Sequence, residues 1–273
     1  MRVKLFSPAK INQSLRVLAY DKFEKKHKLN SKVNILKLSD EITISISKKL
    51  SINYFSNKKK ISIKNDIILK TVKYFDHKYQ KKSNFKISIN KNIPIGYGLG
   101  GGSSNAAAVL KFLYKYHGLP ALNFYIDAPF LGSDVLLFSN QSPKIIDGLK
   151  GARPTLGLNY KPPRWRKISL IFPQKKNITK VIFQKYIDNK NKYLKLKKNK
   201  NDLVYPAFDK NRELESIYNF LNSFKENFKS FGMSGSGSCL FVSYKSISVE
   251  KTINSQFSKK FPLVRIEKTY YFG

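Results

Sequence analysis

Apolar and polar residues alternate along several short stretches of the chain. The alternation is regular over residues 41–47 and again over residues 85–90. A period of two places the apolar side chains on one face of an extended chain, so both stretches are predicted to be half-buried strands. Residues 3–7, 13–18 and 263–267 are also predicted to be strands.

Helical spacing of apolar residues marks two further segments. Asn65 and Asp66 stand directly before the first of them, where the N-cap of a helix is expected. An alanine-rich stretch, residues 106–108, leads into the second helix, which is predicted to end near His117. The residues that set the spacing of the first helix are Ile67, Ile68, Thr71, Val72 and Phe75.

The chain of 273 residues is long enough for one large domain or two ordinary ones. Glycine and proline are concentrated between residues 149 and 166, which predicts a domain boundary there. We therefore assign residues 1–157 to an N-terminal domain and residues 158–273 to a C-terminal domain. Seven lysines within residues 185–200, with little apolar patterning, predict a solvated loop or helix face.

The net charge of +35 comes mainly from lysine. Only seven of the 52 basic residues are arginine, the residue best suited to bidentate contacts with bases and phosphates. Lysine, asparagine and isoleucine are abundant together and share A/T-rich codons. Nucleotide bias acting on a tolerant surface therefore explains the charge more simply than a nucleic-acid partner, and we expect no specific one. An RNA-binding protein with an incidental glycine loop stays a second hypothesis.

Features that the sequence lacks narrow the class of protein further. No run of 18 apolar residues is present, so no transmembrane helix and no membrane partner are predicted. The first residues lack the apolar core of a secretory signal, and the single cysteine can form neither an internal disulfide nor a structural zinc site. We therefore expect a cytoplasmic protein. Three scattered histidines indicate no protein-bound zinc or iron.

A glycine-rich loop is the strongest candidate for chemistry. Four glycines lie within residues 98–102, and Ser103 and Ser104 follow them before the alanine-rich helix. Glycines let the backbone approach a ligand closely, and the following helix offers unpaired N–H groups at its positive end. The arrangement suits the phosphates of a nucleotide. Gly101 is expected close to phosphate oxygens, and the serine hydroxyls can bind phosphate or Mg²⁺.

The loop lacks the Gly-Lys-[Ser/Thr] ending of a Walker A motif and the spacing of a dinucleotide fingerprint. It resembles instead the phosphate loop of the GHMP kinase superfamily. Residues 7–12 resemble that superfamily's P-A-K-x-N opening, residues 131–135 its L-G-x-D-V segment, and residues 233–237 its third glycine motif. The loop residues that carry the match are Pro94, Gly98, Leu99, Gly100, Gly101, Gly102, Ser103, Ser104, Asn105, Ala106 and Ala107.

The resemblance implies an α+β fold of two domains with the active site in the cleft between them. The C-terminal domain would be a sheet with helices on one face. ATP would be the phosphoryl donor, with Mg²⁺ carried by the nucleotide, and Lys10 and Asp134 would be the catalytic pair. The implied ATP-binding residues are Pro94, Gly98, Leu99, Gly100, Gly101, Gly102, Ser103, Ser104, Asn65, Gly235 and Ser236.

Within the superfamily the chain most resembles the kinases that phosphorylate the 2-hydroxyl of 4-diphosphocytidyl-2-C-methyl-D-erythritol, on a route to isoprenoid precursors. The likeness rests on the loop sequence G-L-G-G-G-S-S-N-A-A, on His27 and on residues 201–203, which read Asn-Asp-Leu. It implies a small acceptor with a cytidine diphosphate group, bound by Asn12 and His27. The chain departs from that pattern where Lys25 and Lys26 replace Gly-Tyr, and at Tyr97, where a small residue is usual.

Two alternatives stay open at the level of sequence. A GHMP kinase of the homoserine or mevalonate type fits the same motifs and needs no cytidine group. Asp134, taken without the resemblance, is also consistent with a helix cap, because aspartate commonly accepts hydrogen bonds from the first N–H groups of a helix.

Overall fold

The computed structural model describes residues 1–21, 26–147, 164–196 and 199–273. They fall into two units. Unit 1 comprises Met1–Lys10, Lys37–Pro94 and Gly100–Gln141, and unit 2 comprises Ile11–Leu36, Ile95–Leu99 and Ser142–Gly273. The predicted domain boundary between residues 157 and 158 lies outside the described residues.

Runs of strands and runs of helices follow one another along the chain, which is the pattern of an α+β protein, as predicted. The first part holds β1 (Arg2–Asn12), β2 (Arg16–Asp21), β3 (Lys26–Ile46), β4 (Ser51–Ser56), β5 (Lys59–Ile61), α1 (Ile67–Tyr79) and β6 (Phe85–Asn90). Next come α2 (Gly101–Tyr116), α3 (Asn123–Leu131), a 3₁₀ turn (Val135–Phe138) and β7 (Lys144–Asp147). The remainder holds β8 (Trp165–Phe172), α4 (Thr179–Asp188), α5 (Lys190–Leu194), α6 (Val204–Phe208), α7 (Arg212–Asn222), a 3₁₀ turn (Lys225–Asn227), β9 (Phe228–Met233), β10 (Leu240–Tyr244), α8 (Ile247–Lys260) and β11 (Arg265–Phe272).

The sheet of unit 1 is built on the two stretches with the clearest alternation. Residues 41–46 of β3 pair antiparallel with β6, and β4 pairs parallel with β6 on its other side. The isoleucines that alternate along these strands, Ile42, Ile44, Ile87 and Ile89, are fully buried. Burial of one face only explains the alternation, so both strand predictions are confirmed, except that β3 ends at Ile46 and not at residue 47.

Helix α1 begins where the sequence predicts it. The carboxylate of Asp66 accepts the N–H groups of Ile68 and Leu69 at 2.9 and 3.1 Å and so acts as the N-cap. Asn65, which precedes it, has a left-handed φ of 55°. The cap residue is therefore Asp66, and Asn65 makes the turn into the helix.

The first strand is longer than predicted. Residues 3–7 are extended as expected, but β1 continues without a break through Asn12. Pro8 did not end the strand, and the reason is burial: Ala9 and Ile11 beyond it are fully buried. The catalytic candidate Lys10 consequently lies on a strand and not in a loop between strands.

Unit 2 is a mostly antiparallel arrangement with helices packed against its core. Strand β8 lies between β10 and β11, and β9 pairs with β10. Apolar side chains of β8 and β10 share one cluster with those of α4, α6, α7 and α8. Within residues 185–196 of the lysine-rich stretch, Tyr186 and Tyr193 are buried, Lys185 and Asn189 are half-buried, and the other residues are exposed. Residues 197 and 198 lie outside the described chain. Among the described residues, no helix has the length and apolarity needed to span a bilayer.

Candidate active site

A buried lysine and a partly exposed aspartate form an ion pair in unit 1. The Nζ of Lys10 lies 3.5 Å from Oδ2 of Asp134, and the two side chains are 6% and 37% exposed. Strand β1 presents the lysine, and the turn that follows α3 presents the aspartate. The structure thus brings together the two residues that the resemblance implied as the catalytic pair, although they are far apart in sequence.

Asp134 does not use its side chain as a helix cap. It precedes the 3₁₀ turn Val135–Phe138, but within the described part of the chain its carboxylate accepts no capping hydrogen bond from that turn. The turn is held from the other side by Lys111, whose Nζ donates to the carbonyls of Phe138 and Ser139 at 2.5 and 2.8 Å. Burial lowers the pKa of Lys111 to about 8. Because it does not cap the turn, the carboxylate of Asp134 is available for a ligand.

The last glycines of the loop lie next to this pair. Gly100 is the N-cap of α2 and has a left-handed φ of 70°. A Cβ built on it would lie 3.1 Å from Cε of Lys10 and 3.1 Å from Cζ of Phe138. Only glycine therefore allows the loop to lie against the lysine stem. Because the first N–H groups of a helix have no partner inside it, the start of α2 can bind phosphate oxygens beside Lys10.

Helix α2 begins at Gly101, so the last glycines and both serines form its first turn. We expected a side chain at Gly101 to crowd the phosphate oxygens. In the structure a Cβ built on Gly101 would instead point inward and lie 3.1 Å from Cγ2 of Ile93. Ser104 is 1% exposed, and its hydroxyl has no hydrogen-bond partner among the described residues. Ser103 is half-buried and offers the more accessible hydroxyl.

Asn65 borders a cavity beside the phosphate loop in unit 1. The cavity has a volume of about 770 Å³ and lies along the exposed face of α1, with Ile67, Lys70, Lys73 and Leu131 in its lining. Ile67 also lies close to the loop, since its Cγ2 is 3.7 Å from a Cβ built on Gly102. A nucleoside bound here would be next to phosphates bound at the start of α2.

A buried polar network under the loop was not predicted from the sequence. Lys91 forms an ion pair with Asp40, and its Nζ also donates to Oδ1 of Asn105 at 2.9 Å. The amide of Asn105 in turn donates to the hydroxyl of Ser7 at 2.5 Å. The network joins α2 to β1, three residues before Lys10. No single motif carries it, because its members come from four separate segments.

Unit 2 holds the other glycine motif against the first half of the loop. The hydroxyl of Ser234 donates to the carbonyl of Gly98 at 3.2 Å, and a Cβ built on Gly98 would lie 2.7 Å from the carbonyl oxygen of Ser234. Leu99 is buried, whereas Pro94, just before this half of the loop, is half-buried. Gly235 has a left-handed φ of 59°, and the Oγ atoms of Ser236 and Thr179 are 2.9 Å apart.

Tyr97 is an internal part of the loop and not a ligand-facing residue. It is 9% exposed, and its hydroxyl donates to the carbonyl of Pro173 at 2.9 Å. Its ring packs edge-on against that of Phe172. The large side chain that departs from the family pattern thus anchors residues 95–99 within unit 2.

The two residues predicted to bind the acceptor also lie in unit 2. Asn12 is 4% exposed, its backbone N–H donates to the hydroxyl of Ser234 at 3.2 Å, and its amide donates to Ser31 at 2.8 Å. His27 is half-buried on β3 and is paired with Tyr20 of β2. Lys25 lies outside the described residues. The geometry thus associates Asn12, but not His27, directly with the glycine motif.

Comparison with known sequences gives consistent results. A sequence model of the GHMP kinases N terminal domain matches residues 66–125. The 4-diphosphocytidyl-2-C-methyl-D-erythritol kinase of Sulfurihydrogenibium sp. (strain YO3AOP1) is 33% identical over 260 residues, covering 87% of this chain and 90% of the relative. The 4-diphosphocytidyl-2-C-methyl-D-erythritol kinase of Francisella tularensis subsp. tularensis (strain WY96-3418) is 30% identical over 266 residues, covering 94% and 91%.

Solved structures share the fold over the full length of the chain. A crystal structure of 4-(cytidine 5'-diphospho)-2C-methyl-D-erythritol kinase superposes with a TM-score of 0.72 at 19% identity, covering 99% of this chain and 100% of that one. The mevalonate kinase of Methanococcus jannaschii superposes with a TM-score of 0.65 at 16% identity, covering 98% of both chains. At these identities the superpositions establish the fold and do not discriminate between substrates.

Proposed function

The chain belongs to the 4-diphosphocytidyl-2-C-methyl-D-erythritol kinase family, and from this membership we propose the parts that its own residues take in the reaction. The enzyme transfers a phosphoryl group from ATP to the 2-hydroxyl of 4-diphosphocytidyl-2-C-methyl-D-erythritol, a step toward isoprenoid precursors. The observation that carries the residue assignment is the ion pair of Lys10 and Asp134 beside the N-terminus of α2.

In the proposed mechanism Asp134 acts on the attacking hydroxyl. Its carboxylate accepts the proton of the 2-hydroxyl as the oxygen forms a bond to the γ-phosphorus of ATP, and the bond from that phosphorus to the bridging oxygen breaks to leave ADP. The ammonium group of Lys10, 3.5 Å away, stabilises the ionised carboxylate and the charge that develops on the oxygen.

The nucleotide would be held mainly by unit 1. The start of α2, from Gly100 to Ser103, would bind the phosphates through backbone N–H groups, and the cavity at Asn65 would take the adenosine. Gly235 and Ser236, which the resemblance also implies as ATP-binding residues, belong to unit 2. We place the phosphates at the start of α2 because, among the described residues, this is the glycine-rich helix start that lies against the side chain of Lys10.

Magnesium fits as an ion that arrives with the nucleotide. Among the described residues no group of three or more histidine, cysteine, aspartate or glutamate side chains could hold a metal. Mg²⁺ is commonly bound through one or two protein oxygens together with substrate phosphates, where it neutralises phosphate charge. The hydroxyl of Ser103, half-buried in the first turn of α2, is an oxygen of unit 1 that could complete its shell.

The substrate assignment is tested by measuring ADP release with a panel of acceptors. Turnover is expected with the diphosphocytidyl acceptor. It is not expected with homoserine or mevalonate, because both lack the cytidine diphosphate group that the acceptor site is proposed to bind. The RNA-binding hypothesis predicts a different result, namely tight RNA binding that weakens steeply with salt and no ATP turnover. Equal turnover of mevalonate would contradict the assigned acceptor.

His27→Ala tests the acceptor side of the site. If His27 donates a hydrogen bond to the cytosine ring, its loss should raise the KM for the acceptor by about tenfold, within the range of ~1–3 kcal/mol for an unpaired buried polar group. The KM for ATP should stay nearly constant. Initial rates measured while each substrate is varied separately give both values, and an equal rise in the two would remove His27 from the acceptor site.

A further inference from the structure

Two neighbouring side chains between α5 and α6 reach in different directions within unit 2. Asn201 is 3% exposed, and its amide donates to the carbonyls of Met233 and Gly235 at 2.9 and 2.7 Å. The side chain of Asn201 therefore holds two carbonyls of the third glycine motif, on either side of Ser234. The same residue is anchored in place because its Oδ1 accepts the N–H of Leu203 at 2.9 Å.

Asp202 holds the other element, the start of β2. Its Oδ1 accepts from Nη1 of Arg16 at 2.5 Å, and its Oδ2 accepts the backbone N–H of Val17 at 2.9 Å. The backbone adds two more bonds at the same place, from Leu15 N–H to the carbonyl of Lys200 and from Asp202 N–H to the carbonyl of Leu15, both 2.9 Å. Residues 15–17 are thus fixed to the segment that carries Asn201.

These bonds close a ring through the sites assigned to both substrates. The backbone N–H of Asn12 donates to the hydroxyl of Ser234, which lies between the two carbonyls held by Asn201. From Asn12 the chain runs three residues to Leu15, where the Asp202 contacts begin. Strand β2 then pairs with β3, and its Tyr20 lies opposite His27. The ring therefore fixes the distance between the glycine motif and the strands that carry Asn12 and His27.

We propose that Asn201 and Asp202 are paired positioning residues, Asn201 for the glycine turn at Ser234–Ser236 and Asp202 for strand β2, which pairs with the part of β3 that carries the acceptor candidate His27. The inference rests on the proposed function, since it uses the substrate assigned to each element. Neither residue touches a reacting atom in this arrangement. Each acts through the backbone of the element that it holds.

The consequence is an opposite effect from two adjacent substitutions. Asn201→Ala leaves the carbonyls of Met233 and Gly235 without their donor, and we expect the KM for ATP to rise about tenfold while the KM for the acceptor changes less than about twofold. Asp202→Asn removes the charge opposite Arg16 and one acceptor oxygen, and we expect the reverse pattern. A residue that merely stabilises the fold would lower the melting temperature and move both KM values together.

Asn34→Ala is the matched control. Asn34 is also a buried asparagine of unit 2, and its amide donates to the carbonyl of Phe272 at 2.7 Å, but it contacts neither the glycine motif nor β2 in the described structure. Its loss should lower the melting temperature without separating the two KM values. If Asn34→Ala and Asn201→Ala gave the same kinetic pattern, the positioning role of Asn201 would be refuted.

Hydrogen exchange of the backbone tests the same proposal without either substrate. Asn201→Ala should speed exchange of the N–H groups at residues 234–237, and Asp202→Asn should speed exchange at Val17, each by about tenfold. This measurement stays decisive even if the wild-type protein fails to phosphorylate the diphosphocytidyl acceptor, an outcome that would refute the proposed function alone. Exchange that rises equally in both segments for both variants would refute the division of roles.

Discussion

Asp134→Asn is expected to lower kcat by about 100- to 10,000-fold, the range that a general base contributes. The substitution keeps the size of the side chain but removes its negative charge and its capacity to take the proton. The KM for ATP should change little, because the carboxylate lies beside Lys10 and we assign the phosphates to the start of α2. Single-turnover measurement of phosphoryl transfer isolates the chemical step from product release.

A second lysine–aspartate pair provides the control for this variant. Asp209 lies 3.3 Å from Nζ of Lys192 in unit 2, at a distance similar to that in the pair of Lys10 and Asp134. Asp209→Asn should leave kcat unchanged, since the loss of an exposed ion pair changes stability by at most about 1 kcal/mol. A destabilised but fully active Asp134→Asn enzyme would contradict the assignment of Asp134 as the base and favour a structural role.

The two members of the pair should also behave as one unit. Lys10→Ala is expected to lose activity to a similar extent, because the carboxylate and the developing oxygen charge both lose their neighbouring cation. The double variant should lose less than the product of the two single effects, as is usual for groups that act on the same step. Strict multiplicativity would mean that the residues act independently and that their 3.5 Å contact has no catalytic role.

The parts of this fold that could be predicted from sequence are those in which local pattern and final burial agree. The strands at residues 41–46 and 85–90 and the helix capped by Asp66 follow from periodicity, because each buries one face against the core. The glycine loop was predicted because several glycines together are unfavourable in an ordinary helix or strand and indicate a backbone that must approach a ligand.

What sequence alone could not supply is contact between distant segments. The extension of β1 past Pro8 depends on the burial of Ala9 and Ile11 within the folded unit, which outweighs the local preference for a break. A Cβ on Gly101 would point toward Ile93 because of the way in which α2 begins, and the spacing of the glycines does not encode that start. Residues 201–203 were recognised as a motif, but the hydrogen bonds that give it a role span more than 30 residues.

The same limit applies to the candidate site. The order of the motifs predicts that Lys10, Asp134 and the loop belong to one site. The structure adds that Gly100 lies against the side chain of Lys10, where a Cβ would be only 3.1 Å from the lysine stem. The polar network of Lys91, Asp40 and Asn105 lies under that loop and has no signature beyond three ordinary polar residues. Long-range polar contacts of this kind stabilise one arrangement of the segments, and they become visible only once the chain is folded.

Gly100→Ala is expected to lower kcat/KM for ATP by about 100-fold or more, since a displacement of about 1 Å at a reacting group can cost that much. The added Cβ would lie 3.1 Å from Cγ and Cε of Lys10 and from Cζ of Phe138, so the lysine or the loop must shift. The left-handed φ of 70° adds roughly 1 kcal/mol of strain for a residue other than glycine.

Gly118→Ala separates the strain from the steric conflict, because Gly118 has a φ of 66° and no atom within 4 Å of a built Cβ. Gly118→Ala should lose stability in thermal unfolding through the backbone strain alone and Gly100→Ala by that amount or more, but only Gly100→Ala should lose activity and ATP affinity. Retention of normal ATP affinity by Gly100→Ala, with the Gly118→Ala protein equally active, would remove the start of α2 from the nucleotide site.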